Sequence, residues 1–122
     1  MIKSEDLRTG NYVNDYKCDP YKIKTISDTL RFYRKWVNGC FIENVYPIPL
    51  TEEILLKCGF EKTYRIGFGE LQPCYANLSF GLMIRCNSLF YDYIGGRIEI
   101  KYLHQLQNLF YSLYGKELNV EL

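Results

Sequence analysis

Several things are scarce in this chain, and each scarcity closes off a class of function. There is one histidine, His104, and no two of the five cysteines (Cys18, Cys40, Cys58, Cys74, Cys86) form a C-x-x-C pair. Zinc sites are usually announced by a short ligand pair, so no metal is expected. The only G-x-G, Gly67-Phe68-Gly69, lacks a third glycine at the needed spacing and a following helix. It reads as a turn or bulge rather than a phosphate cradle, so no cofactor is expected either. No apolar run approaches the ~20 residues of a membrane span, which removes a membrane from the expected partners. The opening Met1–Asp6 is polar and acidic, unlike a signal peptide, and the odd cysteine count suits reduced thiols. A cytoplasmic location is the expectation. Charge of one sign is also lacking: 15 Lys plus Arg against 14 Asp plus Glu leave +1. Whole-chain electrostatics therefore favours neither nucleic acid nor a membrane surface.

What is present is a core and many rings. The 122 residues suit one domain, and Leu, Ile, Val and Phe supply 37 of them, which excludes disorder. Twelve tyrosines suit half-buried strands or an interface, because a tyrosine ring can pack while its hydroxyl stays wet.

Ser4–Leu7 reads as a capped helical turn and Thr9-Gly10-Asn11 as a turn. Strands are predicted at 12–16, 21–26, 30–37 and 40–46, with Asn38-Gly39 as a hairpin loop. Pro47-Ile48-Pro49 is an extended connector between sub-lobes of about 1–46 and 50–122 within a single domain. Thr51 caps a helix ending at Cys58. Glu52 and Glu53 fill its first turn, Gly59 suits the left-handed position after it, and Phe60 should meet Leu55. Strands follow at 64–68, 75–80, 82–85, 89–94 and 97–101. A Gly95-Gly96 loop would set Asp92 opposite Glu99 and Tyr93 opposite Ile98. Helix 102–114 carries Leu103, Leu106, Phe110 and Leu113 on one stripe, placing His104, Asn108 and Ser112 toward solvent. Gly115 ends it, and 117–122 alternates weakly as a short final strand. The fold class expected is α+β: an N-terminal small barrel-like antiparallel meander, then an antiparallel sheet packed by two helices.

Candidate chemistry is sparse. Facing acids at Asp92 and Glu99 suggest a cation site or an acid–base pair, but Arg97 and Lys101 share their face and neutralise them. The first-turn pair Glu52 and Glu53 is explained by helix-start electrostatics. A histidine-based catalyst would have to use His104, with Cys86 in reach only by tertiary placement. No catalytic residues are assigned. The richest stretch runs from Lys22 to Trp36. Lys22, Lys24, Arg31, Arg34 and Lys35 are interrupted by one acid, Asp28, and interleaved with Phe32, Tyr33 and Trp36. If strands 21–26 and 30–37 pair, Lys22, Lys24, Arg31, Tyr33 and Lys35 make one basic aromatic surface. Such a surface suits single-stranded nucleic acid, with charge for the backbone and rings for the bases, or a protein partner.

Three segments carry a resemblance: E-D-L-R-T-G-N-Y-V (5–13), P-I-P-L-T-E-E-I-L-L-K-C-G-F-E-K (47–62) and I-K-Y-L-H-Q-L-Q-N-L-F-Y-S-L-Y-G-K-E-L (100–118). Together they resemble a group of small uncharacterised phage, prophage and mobile-element proteins of Bacteroidetes. The piece L-R-T-G-N-Y-V also resembles the opening of a small Src-homology-type barrel. The resemblance implies a bacterial or phage setting and brings no catalytic residue. The functional expectation is a non-catalytic protein-interaction or adaptor protein, with a single-stranded nucleic-acid-binding module as the alternative. Partners open to it are another protein, nucleic acid or a second copy of itself.

Overall fold

The structure, a computed structural model, describes residues 6–29, 34–67, 69–77, 80–85, 88–93 and 95–122. The fold is mixed α+β with antiparallel sheets, and the described strands do not close into a barrel. The chain divides into two compact units, one of Met1–Pro49 with Tyr102–Glu117 and the other of Leu50–Lys101 with Leu118–Leu122.

In the first unit, β1 (Tyr12–Asn14) pairs with β2 (Pro20–Lys22), while β3 (Ile26–Thr29), β4 (Arg34–Val37) and β5 (Cys40–Phe41) form a separate ladder. The expected continuous strand 21–26 is broken at Ile23–Thr25, and the cause is Asn38. Its Oδ1 accepts from the amides of Lys24 (2.7 Å) and Thr25 (3.0 Å), and its Nδ2 donates to the Lys22 carbonyl (3.0 Å). These groups are thereby taken out of any ladder. The Asn38-Gly39 hairpin forms as expected, with Asn38 at φ 49° and Gly39 at φ 79° between paired Val37 and Cys40. After β5 a 3-10 turn at Ile42–Asn44 replaces the predicted strand. Leu7, Val13, Ile23, Val37 and Val45 make the apolar core here, with Tyr21, Ile26 and Ile42 packed against it. Of the turn expected at Ser4–Leu7, residues 4 and 5 lie outside the described residues.

α2 (Leu103–Tyr114) also belongs to this unit. Gly115 ends it at φ 69°. Its buried positions are Leu103, His104, Leu106, Gln107 and Phe110, whereas Leu113 is exposed. The stripe is thus rotated from the purely apolar one, and it brings two polar side chains inside.

In the second unit, α1 (Glu52–Lys57) is local chemistry fully expressed. The Ile54 amide donates to Thr51 Oγ1 (3.2 Å) at the start. At the end, Phe60 N–H reaches the Leu55 carbonyl (3.0 Å) and Gly59 N–H the Leu56 carbonyl (3.1 Å), a Schellman ending with Gly59 at φ 83°. Leu55 and Phe60 are both buried. β6 (Glu61–Gly67), β7 (Glu70–Asn77), β8 (Phe80–Arg85), β9 (Ser88–Tyr93) and β10 (Gly96–Ile100) form an antiparallel meander in the order β10-β9-β8-β7-β6. Phe80 anchors its core, edge-on to Phe60 and stacked on Tyr91 (ring centroids 5.9 and 5.1 Å). The β6–β7 hairpin closes at Gly67 opposite Glu70, with Gly69 at φ 79°, which accounts for the G-x-G as a turn.

The β9–β10 register differs from expectation. Gly96 pairs with Tyr93, so it stands in the ladder and only Gly95 takes the left-handed conformation (φ 101°). Arg97 then faces Asp92, Ile98 faces Tyr91 and Glu99 faces Phe90. The like-charge confrontation of Asp92 with Glu99 therefore does not occur. Residues 117–122 form no strand; the Glu121 amide makes a hydrogen bond to the Lys57 carbonyl (3.0 Å) instead.

Candidate functional site

The stretch from Lys22 to Trp36 is divided between two ladders. Lys22 closes β2 opposite Tyr12, Lys24 lies in the segment held by Asn38, and both are exposed. Lys35 stands in β4 opposite Asp28, while Arg31 and Tyr33 fall outside the described residues. Strands 21–26 and 30–37 do not pair as one ladder: β3 begins at Ile26, so Lys22 and Lys35 belong to different sheets. Trp36 packs on Phe41, ring centroids 4.2 Å apart, which makes it part of the packing rather than a stacking platform. Nearby, Tyr16 is 70% exposed, with the Lys17 ammonium 5.5 Å from its ring centroid.

A polar lattice that the sequence did not announce fills the first unit. Asn11, fully buried, accepts from the Arg8 amide (2.8 Å) and donates to Asn108 Oδ1 (2.8 Å). Asn108 donates in turn to the Asp6 carbonyl (2.7 Å). Gln107 accepts from the Tyr12 amide (2.8 Å) and donates to the Gly10 carbonyl (3.0 Å). Arg8 donates two bonds to the Glu117 carboxylate and one to the Gln107 carbonyl, and its guanidinium lies 4.5 Å from the Tyr111 ring centroid. The lattice ties the L-R-T-G-N-Y segment to α2, and it engages its own side chains in doing so. Gln107 sits four residues after Leu103 and three before Phe110, at the border of the apolar stripe, and nothing in its own neighbourhood marks it as inside.

His104 is buried, 3% exposed, not solvent-facing as the wheel predicted. Its ring stacks on Tyr102 (5.9 Å, 11°), and Nδ1 finds no hydrogen-bond partner among the described residues. Burial pushes its pKa below the ordinary 6.5, against a smaller upward pull from Asp6. Cys58 and Cys74 are buried and free, and burial pushes the Cys58 thiol up to about 11. Among the described residues, no group of three or more His, Cys, Asp or Glu gathers.

In the second unit the two first-turn acids of α1 diverge. Glu53 meets Lys57 (3.3 Å), while Glu52 accepts a hydrogen bond from the Tyr75 hydroxyl (3.1 Å). Burial, then the neighbouring Glu52, raises the Tyr75 pKa, so the hydroxyl keeps its proton. The pair lines a cleft of about 200 Å³, which shares Leu50, Ser88 and Leu89 with a second cleft of about 390 Å³ bordered by Glu99 and Lys101. Asp92–Arg97 and Glu99–Lys101 each approach to 3.9 Å, so the acids of this hairpin are neutralised by their neighbours.

The sheet margins are the least covered part of this unit. Tyr64 (61% exposed) and Leu71 (70%) lie along β6 and β7, and Tyr93 (51%) and Ile98 (42%) along β9 and β10. β6 and β10 are the two edge strands of the sheet. Large apolar side chains at open edges are what a partner strand or an apolar partner surface covers. No described helix is long and apolar enough to cross a membrane. Comparison with protein-family models, with curated proteins and with solved structures finds no match to this chain.

Proposed function

We propose that the chain is a non-catalytic protein-interaction or adaptor protein, an accessory protein of a phage or mobile element working in the cytoplasm. The observation that supports this most is the set of apolar side chains left exposed at the margins of the five-stranded sheet: Tyr64, Leu71, Tyr93 and Ile98. Tyr64 with Leu71 lies at one margin and Tyr93 with Ile98 at the other, and large apolar side chains left exposed at a sheet margin are what a partner surface covers. The single imidazole, by contrast, is buried against Tyr102 and is not offered to a substrate. The phage or mobile-element setting rests on the three resembling segments. In-cell crosslinking followed by mass spectrometry tests the reading. The wild type should give defined crosslinks to other proteins that Tyr64→Ser with Leu71→Ser abolishes while the melting temperature holds. Crosslinks unchanged in that variant would count against the β6–β7 margin.

A second reading, single-stranded nucleic-acid binding, is favoured by exposed Tyr16 beside Lys17 and by exposed Lys22 and Lys24 in the same unit. Arg31, Tyr33 and Lys35 are the further candidates that the sequence offers for it, Arg31 and Tyr33 lying outside the described residues and Lys35 in a different sheet from Lys22. A gel shift on random single-stranded oligonucleotides at low salt should then show retardation that salt removes and that Lys22→Glu with Lys24→Glu weakens. No retardation at low salt would exclude this reading.

A further inference from the structure

The geometry points to the β10 edge as the place where a second copy of this chain adds to the sheet, antiparallel and centred on Ile98. This rests on the protein-interaction reading and names the partner for one margin. β10 is an edge strand whose first four residues, Gly96–Glu99, are all exposed. Its sequence is G-R-I-E-I, with a cation immediately before Ile98 and an acid immediately after it.

A two-fold axis through Ile98 makes that order self-complementary. Residues whose numbers are symmetric about 98 face each other across the seam. Each Arg97 then stands opposite Glu99 of the other copy, Ile98 opposite Ile98, and Gly96 opposite Ile100. Opposite charges placed directly across antiparallel strands attract, and the apolar pair covers Ile98 on the other face. The internal ion pairs of this face are loose, 3.9 Å for both Arg97–Asp92 and Lys101–Glu99. The new contacts join them into a run Asp92–Arg97–Glu99–Lys101 that crosses the seam in both directions. Gly96 is suited to its position: the Tyr93 ring already lies over it, with Oη 3.1 Å from where a Cβ would stand.

The opposite edge is built differently. On β6, Lys62 pairs with Tyr75 in the ladder and so shares the face of that buried ring. A cation on the apolar face of an edge strand is a device that deters strand addition. The edge that invites a second copy is therefore β10, and β6 with Leu71 is left to other partners. A five-residue seam is smaller than a standard interface, so the dimer should be concentration-dependent rather than obligate.

Sedimentation equilibrium of the full chain, from about 1 µM to about 1 mM, reads the outcome directly. The wild type should show a monomer–dimer equilibrium. Arg97→Glu alone and Glu99→Arg alone each set like charges opposite and should weaken it by about tenfold or more. The double exchange, Arg97→Glu with Glu99→Arg, should restore it. Far-UV circular dichroism confirms that each variant is folded. Should a charge variant fail to fold, Ile98→Lys, at an exposed position without an ion pair to lose, should also give a monomer. A wild type monomeric throughout, aggregation without defined stoichiometry, a dimer indifferent to the single exchanges, or a folded double variant that stays monomeric would each overturn the self-pairing. The broader reading fails separately, if the wild type gives no defined crosslinks to other proteins.

Discussion

His104 shows how one buried polar group ties stability to pH. Its folded pKa lies below the ordinary 6.5, because burial opposes the imidazolium more than Asp6 favours it. As the pH falls through 6.5, the unfolded chain takes up a proton that the folded chain refuses. Stability is therefore complete above that value and declines below it. His104→Leu removes both the titration and a buried Nδ1 without a partner among the described residues. Its melting temperature should fall less than the wild type's between about pH 7.5 and about pH 5, as followed by circular dichroism. His104→Ala, harmless had the ring faced solvent, should instead cost about 2 kcal/mol through the cavity it leaves. Asn11 is the companion case. Asn11→Ala deletes the bonds to the Arg8 amide and to Asn108, so urea denaturation should show a loss of about 2 kcal/mol.

At the scale of elements, what could be read in advance was whatever sequence neighbours decide among themselves. The whole of α1 follows from Thr51, two acids, Gly59 and Phe60, and all of its cap bonds lie within six residues. Gly59→Val should cost roughly 1 kcal/mol or more, because a β-branched residue resists φ 83°. Its Cβ would also stand 3.3 Å from Asn77 Nδ2, and that amide holds the Cys58 carbonyl. A melting temperature equal to the wild type's would contradict this account. The β9–β10 hairpin was half legible. Alternation put Tyr91, Tyr93, Ile98 and Ile100 on one face, and the observed register keeps that face. The pairing partners moved because two adjacent glycines offer two loop positions, and nothing local chooses between them. The strand break at Ile23–Thr25 was not legible, since its cause is a side chain at Asn38. Nor was the rotation of α2, where Gln107 sits inside because Tyr12 and Gly10 meet it there. The candidate surface suffered for the same reason: Lys22 and Lys35 are close in sequence but belong to different ladders.

At the scale of the molecule, the two units are assembled by opposite rules. The five-stranded sheet joins each strand to the next along the chain, in the order β6 to β10. The first unit instead joins residues separated by 97 positions at Asn11–Asn108 and 109 at Arg8–Glu117. Segments 5–13 and 100–118 meet through these bonds. What stand in the sequence as two separate stretches are, in space, joined by one clamp.

That clamp sets a timetable. A growing chain exposes residues 50–101 before α2 exists, so the meander can form while the L-R-T-G-N-Y segment still waits for its counterpart. Closing a loop of about a hundred residues adds an entropic delay of its own, whereas neighbouring strands meet quickly. In refolding followed by pulsed hydrogen exchange, amides of β7 to β9 should gain protection first. That of Tyr12, which donates to Gln107 in α2, should follow, and its becoming protected together with the sheet would refute the sequence of events. Until Asn108 and then Glu117 have left the ribosome, Asn11 and Arg8 wait for these partners, and the nascent chain carries its first unit unfinished.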